Sequence, residues 1–318
     1  MSPAVYPFVF GAKERQTLAE LVDIDLTRPE FDLERTPPEQ LEQIELLIAG
    51  WGAPTLSRSS LDRLPSLRAV VHWAGGVGFV DAGATERGIV ISSGRRANGI
   101  PVAEFTVAMV TLAAKDVFWA SRVYCREQRM IDREAELPRT GLYGATVGIV
   151  GASSIGSLVM EMLKPYDVEV LLYDPTATTQ RAESLGAELV GDLRDLARRC
   201  GILSVHAPDM PSTHEMISRA VLAAMPDGAT LINTARGALV DQVALVDELE
   251  SGRIRAVLDV TEPDPLPAGH PLYTLPNVFL TPHLAGSMGN ELRRLGVAAI
   301  TEVERFVSGV PFANPAAL

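Results

Sequence analysis

The sequence predicts an α/β protein with two doubly wound parallel-sheet domains. Short apolar segments alternate with helical segments in the first third of the chain, and a second series of this kind begins at Thr146. The length agrees with this prediction, because 318 residues correspond to about two domains of ~150 residues each.

The first series contains four predicted strands. Three lie in VYPFVFG, LLIAGWG and LRAVVHW, and each is followed by a helical segment: residues 13–22, RSSLDRL and DAGATERG, respectively. The fourth is expected at Gly88–Ile91. Because helices separate the strands, we expect them to form a parallel sheet.

A long apolar segment then predicts one helix from Pro101 to about Ile131. Proline suits the first position of a helix, and Glu104 in the first turn complements the helix dipole. The segment is apolar on all sides, so we expect it to be buried against another element, such as a second subunit. Phe118, Trp119 and Tyr124 suit such a buried face or an ordinary core.

The second series begins beyond this helix. Its predicted strands are Thr146–Val150, Glu169–Tyr173, Ile202–Ala207, Thr230–Asn233, Ala256–Asp259 and Val278–Leu280. The chain then closes with an amphipathic helix that ends at Gly309, with Pro311 just beyond it.

Composition excludes several classes of function. The net charge, 28 − 40 = −12, disfavours nucleic acid and acidic membranes as partners. Two cysteines form no disulfide scaffold, which favours a reducing cytoplasm. The first residues do not resemble a signal peptide, and no apolar run reaches ~18 residues without a charge or turn former, so we expect no membrane span.

A glycine-rich turn follows the strand at Thr146–Val150. Residues 151–156 match the pattern G-x-G-x-x-G except that Ser153 occupies the second glycine position. Gly151 would allow the tight turn, a small residue at 153 would let the backbone approach a pyrophosphate, and Gly156 would let helix and strand pack closely. The helix N-terminus at Ser154 and Ile155 would supply N–H donors to the anion.

Asp174 strengthens this interpretation. It ends the next strand, 174 − 151 = 23 residues after the first glycine, near the ~20 expected for a ribose-binding acid. Its carboxylate would accept hydrogen bonds from the ribose hydroxyls and repel a 2′-phosphate. No arginine adjoins it in Asp174-Pro175-Thr176, so we expect NAD, with NADH preferred over NADPH.

Five histidines and one arginine are the first candidates for site residues. The histidines lack the spacing of a metal site, so we expect no metal. His283 differs from the others because it follows a strand end and precedes small residues. Arg236 also follows a strand, where a carboxylate-bearing ligand would lie; the alternative is a surface ion pair with Asp241.

Five motifs together carry a resemblance to a known family. They are GATVGIVGASSIG, HAPDMPSTHEMI, LINTARGALVD, LDVTEPDPLP and NVFLTPHLAGS. Their order resembles that in the D-isomer-specific 2-hydroxyacid dehydrogenases over about residues 70–310, and the DVT-x-P-x-PLP stretch resembles the glyoxylate and hydroxypyruvate reductase branch. The resemblance implies a flavodoxin-like substrate domain at 1–98 and 285–318, interrupted by a Rossmann NAD-binding domain at 99–284.

The resemblance also implies catalytic roles. Arg236 would bind the substrate carboxylate and carbonyl oxygen, and His283 would be the general acid/base, oriented by a carboxylate. The family has Glu five residues after the Asp of the DV motif, whereas here 259 + 5 gives Asp264. Because aspartate is one methylene shorter, Glu262 is the alternative partner.

Further positions follow from the same resemblance. Asp259 and the carbonyl of Ala235, which follows Thr234, would contact the nicotinamide carboxamide, and the loop His206-Ala207-Pro208 would line the cofactor. The substrate carboxylate would bind backbone N–H groups at Gly75 and Gly76. Asn98 would lie near the active site or cap the next helix.

We therefore expect a cytoplasmic, homodimeric NAD-dependent enzyme that reduces a small 2-keto acid, such as glyoxylate or hydroxypyruvate, to the D-2-hydroxy acid. A formate- or phosphite-type dehydrogenase and a non-enzymatic NAD-sensing corepressor are the alternatives. Trp51, Trp73 and Arg95 are candidates for contacting the substrate side chain. The pair Arg95-Arg96 suits a second acidic group or simply a solvated loop.

Overall fold

A computed structural model describes residues 5–26, 32–137 and 140–316. The chain divides into two compact units. The first comprises Met1–Gly99 and Ser287–Leu318, and the second comprises Ile100–Gly286. Each unit has its own parallel sheet. The predicted α/β class is therefore confirmed.

The described residues form strands and helices that alternate along most of the chain. The strands are β1 (Leu46–Ala49), β2 (Ala69–His72), β3 (Val90–Ser93), β4 (Ala145–Val150), β5 (Val168–Tyr173), β6 (Glu188–Leu189), β7 (Ile202–Val205), β8 (Thr230–Asn233), β9 (Arg255–Leu258) and β10 (Val278–Leu280). The helices are α1 (Tyr6–Val9), α2 (Ala12–Leu21), α3 (Pro38–Leu41), α4 (Arg58–Asp62), α5 (Gly83–Glu86), α6 (Arg95–Ala114), α7 (Val117–Glu127), α8 (Arg133–Glu136), α9 (Ser154–Leu163), α10 (Thr179–Ser184), α11 (Leu193–Arg199), α12 (Arg219–Ala224), α13 (Gln242–Glu250) and α14 (Leu292–Val307).

The first unit contains a three-stranded sheet in the order β1-β2-β3. Both strand pairs are parallel, so the carboxyl ends of all three strands lie at one edge of the sheet. The last described residues extend this sheet, because the Ser93 N–H donates to the carbonyl of Asn314 and the Ala316 N–H donates to the carbonyl of Ile91.

The second unit contains a seven-stranded sheet in the order β10-β9-β8-β7-β4-β5-β6. Every neighbouring pair is parallel. The strand order reverses between β4 and β7, and open α/β sheets bind ligands at the carboxyl edge beside such a reversal. The topology therefore marks the ends of β4 and β7 as the candidate cofactor position.

Apolar side chains cover both faces of this second sheet. Val150, Leu203 and Leu231 are buried in one core, whereas Ile149 and Ile232 are buried in another. Successive residues of a strand point to opposite faces, so helices must cover both sides. The cores explain why these strands are continuous apolar runs in the sequence.

The prediction of a strand at VYPFVFG is wrong, because Tyr6–Val9 is helix α1. Its apolar residues are buried with those of α14, including Leu295 and Ala299. A Cβ on Gly296 would collide with the carbonyl of Val9, so glycine permits this close approach. Packing on a helix, rather than strand pairing, buries the segment.

The single long helix expected at Pro101–Ile131 is also wrong. Helix α6 begins at Arg95 and contains Pro101 in its interior, so Glu104 is not in its first turn. The chain then breaks at Asp116, which has a positive φ of 53° and an ion pair with Arg255 at 2.7 Å. Because the ion pair between Asp116 and Arg255 is largely buried, the helix ends before Asp116, although the sequence contains no signal for a helix end there.

Helix α6 is long and apolar enough to cross a membrane by length and composition alone, contrary to the expectation from the sequence. Half of its apolar window is buried inside the protein. Ala103 and Val110 have no exposed surface and belong to a core of the second unit. Such burial is typical of a helix in the core of a protein.

Candidate active site

The predicted cofactor and catalytic residues of the second unit all follow the carboxyl ends of its strands. The glycine turn follows β4, Asp174 follows β5, and His206 follows β7. Likewise, residues 234–236 follow β8, Asp259 follows β9, and His283 lies three residues beyond β10. Because the strands are parallel, the topology brings these residues to one edge of the sheet.

The glycine turn has two close backbone approaches. Gly151 has a φ of 97°, and a Cβ on it would lie 2.7 Å from the backbone nitrogen of Ala207. A Cβ on Gly156 would collide with the carbonyl oxygen of Gly151. Both positions therefore require glycine, which packs the turn and α9 against the loop that contains His206 and Ala207.

Ser153 caps α9 instead of opening the turn as a glycine would. Its hydroxyl oxygen accepts the N–H of Gly156 at 3.2 Å, so the side chain is directed to the helix. Within the described part of the chain, the N–H groups of Ser153, Ser154 and Ile155 meet no acceptor. These three donors suit the oxygens of a pyrophosphate.

Asp174 is tied to the same turn. One carboxylate oxygen accepts the N–H of Ala152 at 2.7 Å, and the other accepts the N–H and hydroxyl of Thr176 at 2.8 and 2.7 Å. Burial by itself favours the protonated acid, but these hydrogen bonds together lower the pKa of Asp174 below its usual value. The carboxylate is thus ionised at neutral pH and retains lone pairs for ribose hydroxyls.

His206 is a buried, neutral side chain. Its Nε2 is 2.8 Å from the Ser204 hydroxyl, and burial lowers its pKa to about 3. In the following residues, the N–H of Ala207 lies beside Gly151, and the carbonyl of Pro208 accepts the Thr213 hydroxyl at 2.6 Å. His206 therefore supports the glycine turn and supplies no proton near neutral pH.

The Arg236 loop is held by a buried asparagine. The Asn233 side chain accepts the N–H of Ala235 at 3.0 Å and donates to the carbonyl of Arg236 at 2.8 Å. The Thr234 hydroxyl lies 3.0 Å from that of Thr106, and both groups are buried. The backbone around Arg236 is therefore rigid although its side chain is exposed.

Arg236 has no acidic partner within the described residues. Its guanidinium donates to the neighbouring carbonyl of Ala235 at 2.6 Å. Asp241, the alternative partner, instead caps α13 by accepting the N–H of Ala244 at 2.9 Å. The cation is thus available to an anionic ligand.

His283 is hydrogen-bonded to Asp264. Its Nδ1 lies 2.7 Å from a carboxylate oxygen of Asp264, with side chains 52% and 39% exposed. Glu262, the other candidate, is held through its backbone, whose N–H and carbonyl pair with the Gln242 side chain at 3.0 and 2.6 Å. Of the two acids, Asp264 therefore contacts the imidazole and leaves Nε2 open.

Asp259 organises the loop around His283, which the sequence did not indicate. Its buried carboxylate accepts the Thr281 hydroxyl at 2.6 Å and the N–H groups of Leu284 and Ala285 at 2.8 and 2.9 Å. Its carbonyl accepts the N–H of His283 at 3.0 Å. The loop thus supplies three hydrogen-bond donors to the carboxylate oxygens of Asp259. The resemblance had instead implied that Asp259 contacts the nicotinamide carboxamide.

The predicted carboxylate-binding residues of the first unit form a loop after β2. Among the described residues, no acceptor receives the N–H groups of Gly75, Gly76, Val77 or Gly78. The hydroxyl of Ser93 donates to the carbonyl of Gly75 at 2.6 Å and fixes the loop. A row of unpaired N–H groups is a ready site for an anion.

Asn98 lies within α6, so the alternative that it is a loop residue capping the next helix is wrong; its position near an active site stays a prediction. Its side-chain oxygen accepts the N–H of Ser287 at 3.3 Å. Helix α6 begins at Arg95, three residues before Asn98. Asn98 therefore joins two segments of the first unit.

No group of three or more His, Cys, Asp or Glu side chains that could hold a metal ion occurs in the ranges 5–26, 32–137 and 140–316. Of the other histidines, His214 is exposed, His270 accepts the N–H of Leu272 at 3.3 Å in a turn, and His72 is buried.

The chain is similar to characterised proteins over most of its length. Residues 107–285 match the family described as D-isomer specific 2-hydroxyacid dehydrogenase, NAD binding domain. D-3-phosphoglycerate dehydrogenase of Methanocaldococcus jannaschii is 32% identical over 273 residues, or 85% of this chain and 51% of that protein. Glyoxylate reductase of Aeropyrum pernix is 34% identical over 262 residues, or 78% of this chain and 76% of that protein.

The solved structure of the TT0316 protein from Thermus thermophilus is 30% identical and superposes with a TM-score of 0.75, covering 96% of this chain and 97% of that one. The chain spans about half the length of the D-3-phosphoglycerate dehydrogenases that it matches. These relatives have different substrates in their names, so the branch of the family stays a prediction.

Proposed function

The chain belongs to the D-isomer-specific 2-hydroxyacid dehydrogenase family, and from this premise we propose that it is an NAD-dependent enzyme that reduces a small 2-keto acid of the glyoxylate or hydroxypyruvate type to the D-2-hydroxy acid. The observation that carries the proposal is the pair of His283 and Asp264, 2.7 Å apart. Arg236, which has no acidic partner among the described residues and follows β8 at the same sheet edge, supports it. A proton donor and a fixed cation are the two groups that reduction of a keto acid needs from the protein.

The residues at the carboxyl edge of the second sheet suit NAD. The unpaired N–H groups of Ser153, Ser154 and Ile155 would hold the pyrophosphate, and Asp174 would bind the adenosine ribose. NADH bound there supplies the hydride. Asp174 is ionised at neutral pH and would repel a 2′-phosphate, which favours NADH over NADPH.

Arg236 would bind the substrate carboxylate and polarise the keto group. A guanidinium matches a carboxylate with two parallel hydrogen bonds, and it remains charged at every working pH. Asn233 fixes the backbone on both sides of Arg236, so little ordering of the loop is needed when the anion binds. Within the first unit, the N–H groups of Gly75 and Gly76 are proposed separately as a place for a carboxylate.

His283 would transfer the proton. Asp264 accepts the hydrogen on Nδ1, which leaves the proton on Nε2 for the carbonyl oxygen as it gains negative charge. The carboxylate also holds the imidazole ring in one orientation. In the reverse reaction, neutral Nε2 takes the proton from the hydroxyl group of the D-2-hydroxy acid.

We also propose that the active protein is a cytoplasmic homodimer. Helix α7 buries no residue completely in the single chain, and Tyr124 on it is 59% exposed. Exposed apolar side chains on one helix are a common feature of subunit interfaces. The molar mass of the protein in solution, measured by light scattering, tests whether it is a dimer.

A substrate panel tests the activity. We expect oxidation of NADH, and slower oxidation of NADPH, with glyoxylate, hydroxypyruvate or pyruvate. The Arg236→Ala variant should lose at least about 100-fold in kcat/KM with the best keto acid, while NADH binding, measured by fluorescence, stays near that of the wild type.

Three results would contradict the proposal or part of it. Oxidation of formate or phosphite with NAD, without activity on keto acids, would identify a formate- or phosphite-type dehydrogenase. Tight NADH binding without turnover of any acid would favour an NAD-sensing protein. Near-full kcat/KM in Arg236→Ala would remove the role assigned to that residue.

A further inference from the structure

We propose that Gln242 is a positioning residue for the proposed proton transfer, because its side-chain amide holds the loop that presents Asp264 to His283. This inference rests on the proposed function and adds to it a residue that would touch neither substrate nor cofactor. The three residues follow β8, β9 and β10, respectively, in the second unit.

The loop Glu262–Pro265 has little packing to hold it in place. All four of its residues are exposed, and the prolines at 263 and 265 have no backbone N–H to donate. Within the described ranges, no hydrogen bond between backbone groups involves Glu262, Pro263 or Asp264. The position of the Asp264 carboxylate therefore depends on side chains that bind this backbone.

Two side chains bind it. The Gln242 amide oxygen accepts the N–H of Glu262 at 3.0 Å, and the amide nitrogen donates to the carbonyl of the same residue at 2.6 Å. The Thr261 hydroxyl donates to the carbonyl of Pro263 at 2.8 Å. Thr261 adjoins the loop in the chain, whereas Gln242 lies 20 residues away from Glu262. Of the two, Gln242 is the side chain that ties the loop to another element.

Gln242 extends from a fixed part of the backbone. It is the first residue of α13, and Leu245 in the next turn is buried in a core of the second unit. Asp241 caps the helix by accepting the N–H of Ala244 at 2.9 Å, while its own N–H donates to the carbonyl of Ile217 at 3.1 Å. An exposed loop is thus attached through the amide to a packed helix terminus.

The segment that leads to Gln242 begins with Arg236. Gly237, directly after this arginine, lies against the start of the loop. A Cβ on Gly237 would collide with the carbonyl of Thr261 and lie 2.6 Å from the backbone nitrogen of Glu262. Gln242 makes a second link between the same two segments. The cation proposed to bind the anion and the carboxylate that orients the proposed acid therefore share one support.

An amide is the side chain that these two bonds require, since it presents an acceptor and a donor together. Glutamate would keep the acceptor, lose the donor and place a negative charge beside the carbonyl of Glu262. Methionine would keep the approximate volume and lose both bonds. Without them the loop can move, and a shift of about 1 Å in the position of a reacting group can cost up to about 100-fold in rate.

A double-mutant cycle with Asp264 tests the inference. We expect Gln242→Met to lower kcat for the best keto acid by about 5- to 20-fold. KM and NADH affinity should change less than about twofold, because Asn233 still holds the backbone at Arg236. In the Asp264→Ala background, the same substitution should cost less than about twofold in kcat, because the carboxylate that Gln242 positions is absent.

Two further variants complete the experiment. Gln242→Glu keeps one of the two hydrogen bonds, so its kcat should lie between those of the wild type and Gln242→Met. Gln40→Met is the matched control, since it makes the same substitution at an exposed glutamine of α3. Thermal unfolding of each variant shows whether it is folded at the temperature of the assay.

An equal loss of kcat in the two backgrounds would mean that Gln242 does not act through Asp264, and would overturn the inference while leaving the proposed function intact. A kcat of Gln242→Met equal to that of Gln40→Met, or a change confined to KM, would overturn it as well. Absence of turnover of every keto acid by the wild type would instead contradict the proposed function, and the inference would fall with it.

Discussion

Asp259 and His283 are joined by the backbone, with the N–H of His283 3.0 Å from the carbonyl oxygen of Asp259. The carboxylate of Asp259 also holds Thr281 before the histidine and Leu284 and Ala285 after it. His283 itself has a positive φ of 54°, which is unfavourable for a residue with a Cβ. One buried side chain thus holds the proposed acid in a strained conformation.

We expect Thr281→Val to lower kcat, since it removes one of the three donors to Asp259 and loosens the loop. The loss of this hydrogen bond should lower the free energy of unfolding by about 1 kcal/mol, measured by thermal denaturation. Thr281→Ser keeps the hydroxyl and is the control. A kcat of Thr281→Val equal to that of Thr281→Ser would mean that the carboxylate of Asp259 holds the loop without help from Thr281.

Asp264 and Glu262 make a second test. Asp264→Asn removes the carboxylate that accepts the hydrogen on Nδ1 of His283 and orients the ring, so we expect kcat/KM to fall by about 10- to 100-fold. Glu262→Gln should stay close to the wild type, because Gln242 binds the backbone of that residue and not its carboxylate. Values of kcat/KM for both variants check this, and the reverse ranking would move the assignment to Glu262.

The glycine turn predicts a steric effect on cofactor binding. Gly156→Ala places a Cβ against the carbonyl of Gly151, so the turn must move, and we expect NADH to bind at least about tenfold more weakly, a change of ~1.4 kcal/mol. Gly191→Ala is the matched control, because its Cβ would meet nothing within 4 Å. Fluorescence titration with NADH measures both, and equal affinities would show that the turn does not approach the cofactor.

His72 predicts a pH dependence of stability. Burial lowers its pKa from 6.5 to about 4, so the unfolded chain binds a proton at a pH where the folded protein does not. Its contribution is therefore complete above pH 6.5 and is lost as the pH falls towards 4.

The measurement compares the wild type with His72→Phe at about pH 7 and pH 5, on the two sides of the ordinary histidine pKa. Phenylalanine does not titrate, so the variant should lose about 2 kcal/mol less stability over that interval. His206, also buried with a pKa of about 3, contributes alike to both proteins. The same loss of melting temperature in both would mean that His72 is protonated in the folded state.

Much of the second unit was predictable because its features are local in the chain. A strand, a glycine turn and a helix lie within residues 145–163, and Asp174 ends the next strand. Residues that follow parallel strands must share one edge, so Arg236 and His283 were candidates on the basis of the residues alone, and the resemblance to the family added Asp259. The five β-strand predictions from Glu169 onward were correct to within two residues at each end.

Other features depend on partners that are distant in the chain. The apolar segment Tyr6–Val9 suits a strand or a helix, and only packing on α14, where Gly296 allows close approach, makes it a helix. The break at Asp116 depends on Arg255 in the same way, 139 residues away. The hydrophobic periodicity of a segment does not indicate which distant residues will pack against it or pair with it.

By itself, the sequence determined the α/β class, the two-part division of the chain and the set of residues at the carboxyl edge of the second sheet, because each follows from local patterns of strand, turn and helix. Only the tertiary structure decided that Asp264 rather than Glu262 meets His283, that Arg236 has no acidic partner among the described residues, and that Asp259 holds the histidine loop. Those outcomes depend on hydrogen bonds between loops, and the folded backbone sets which side chains come within reach.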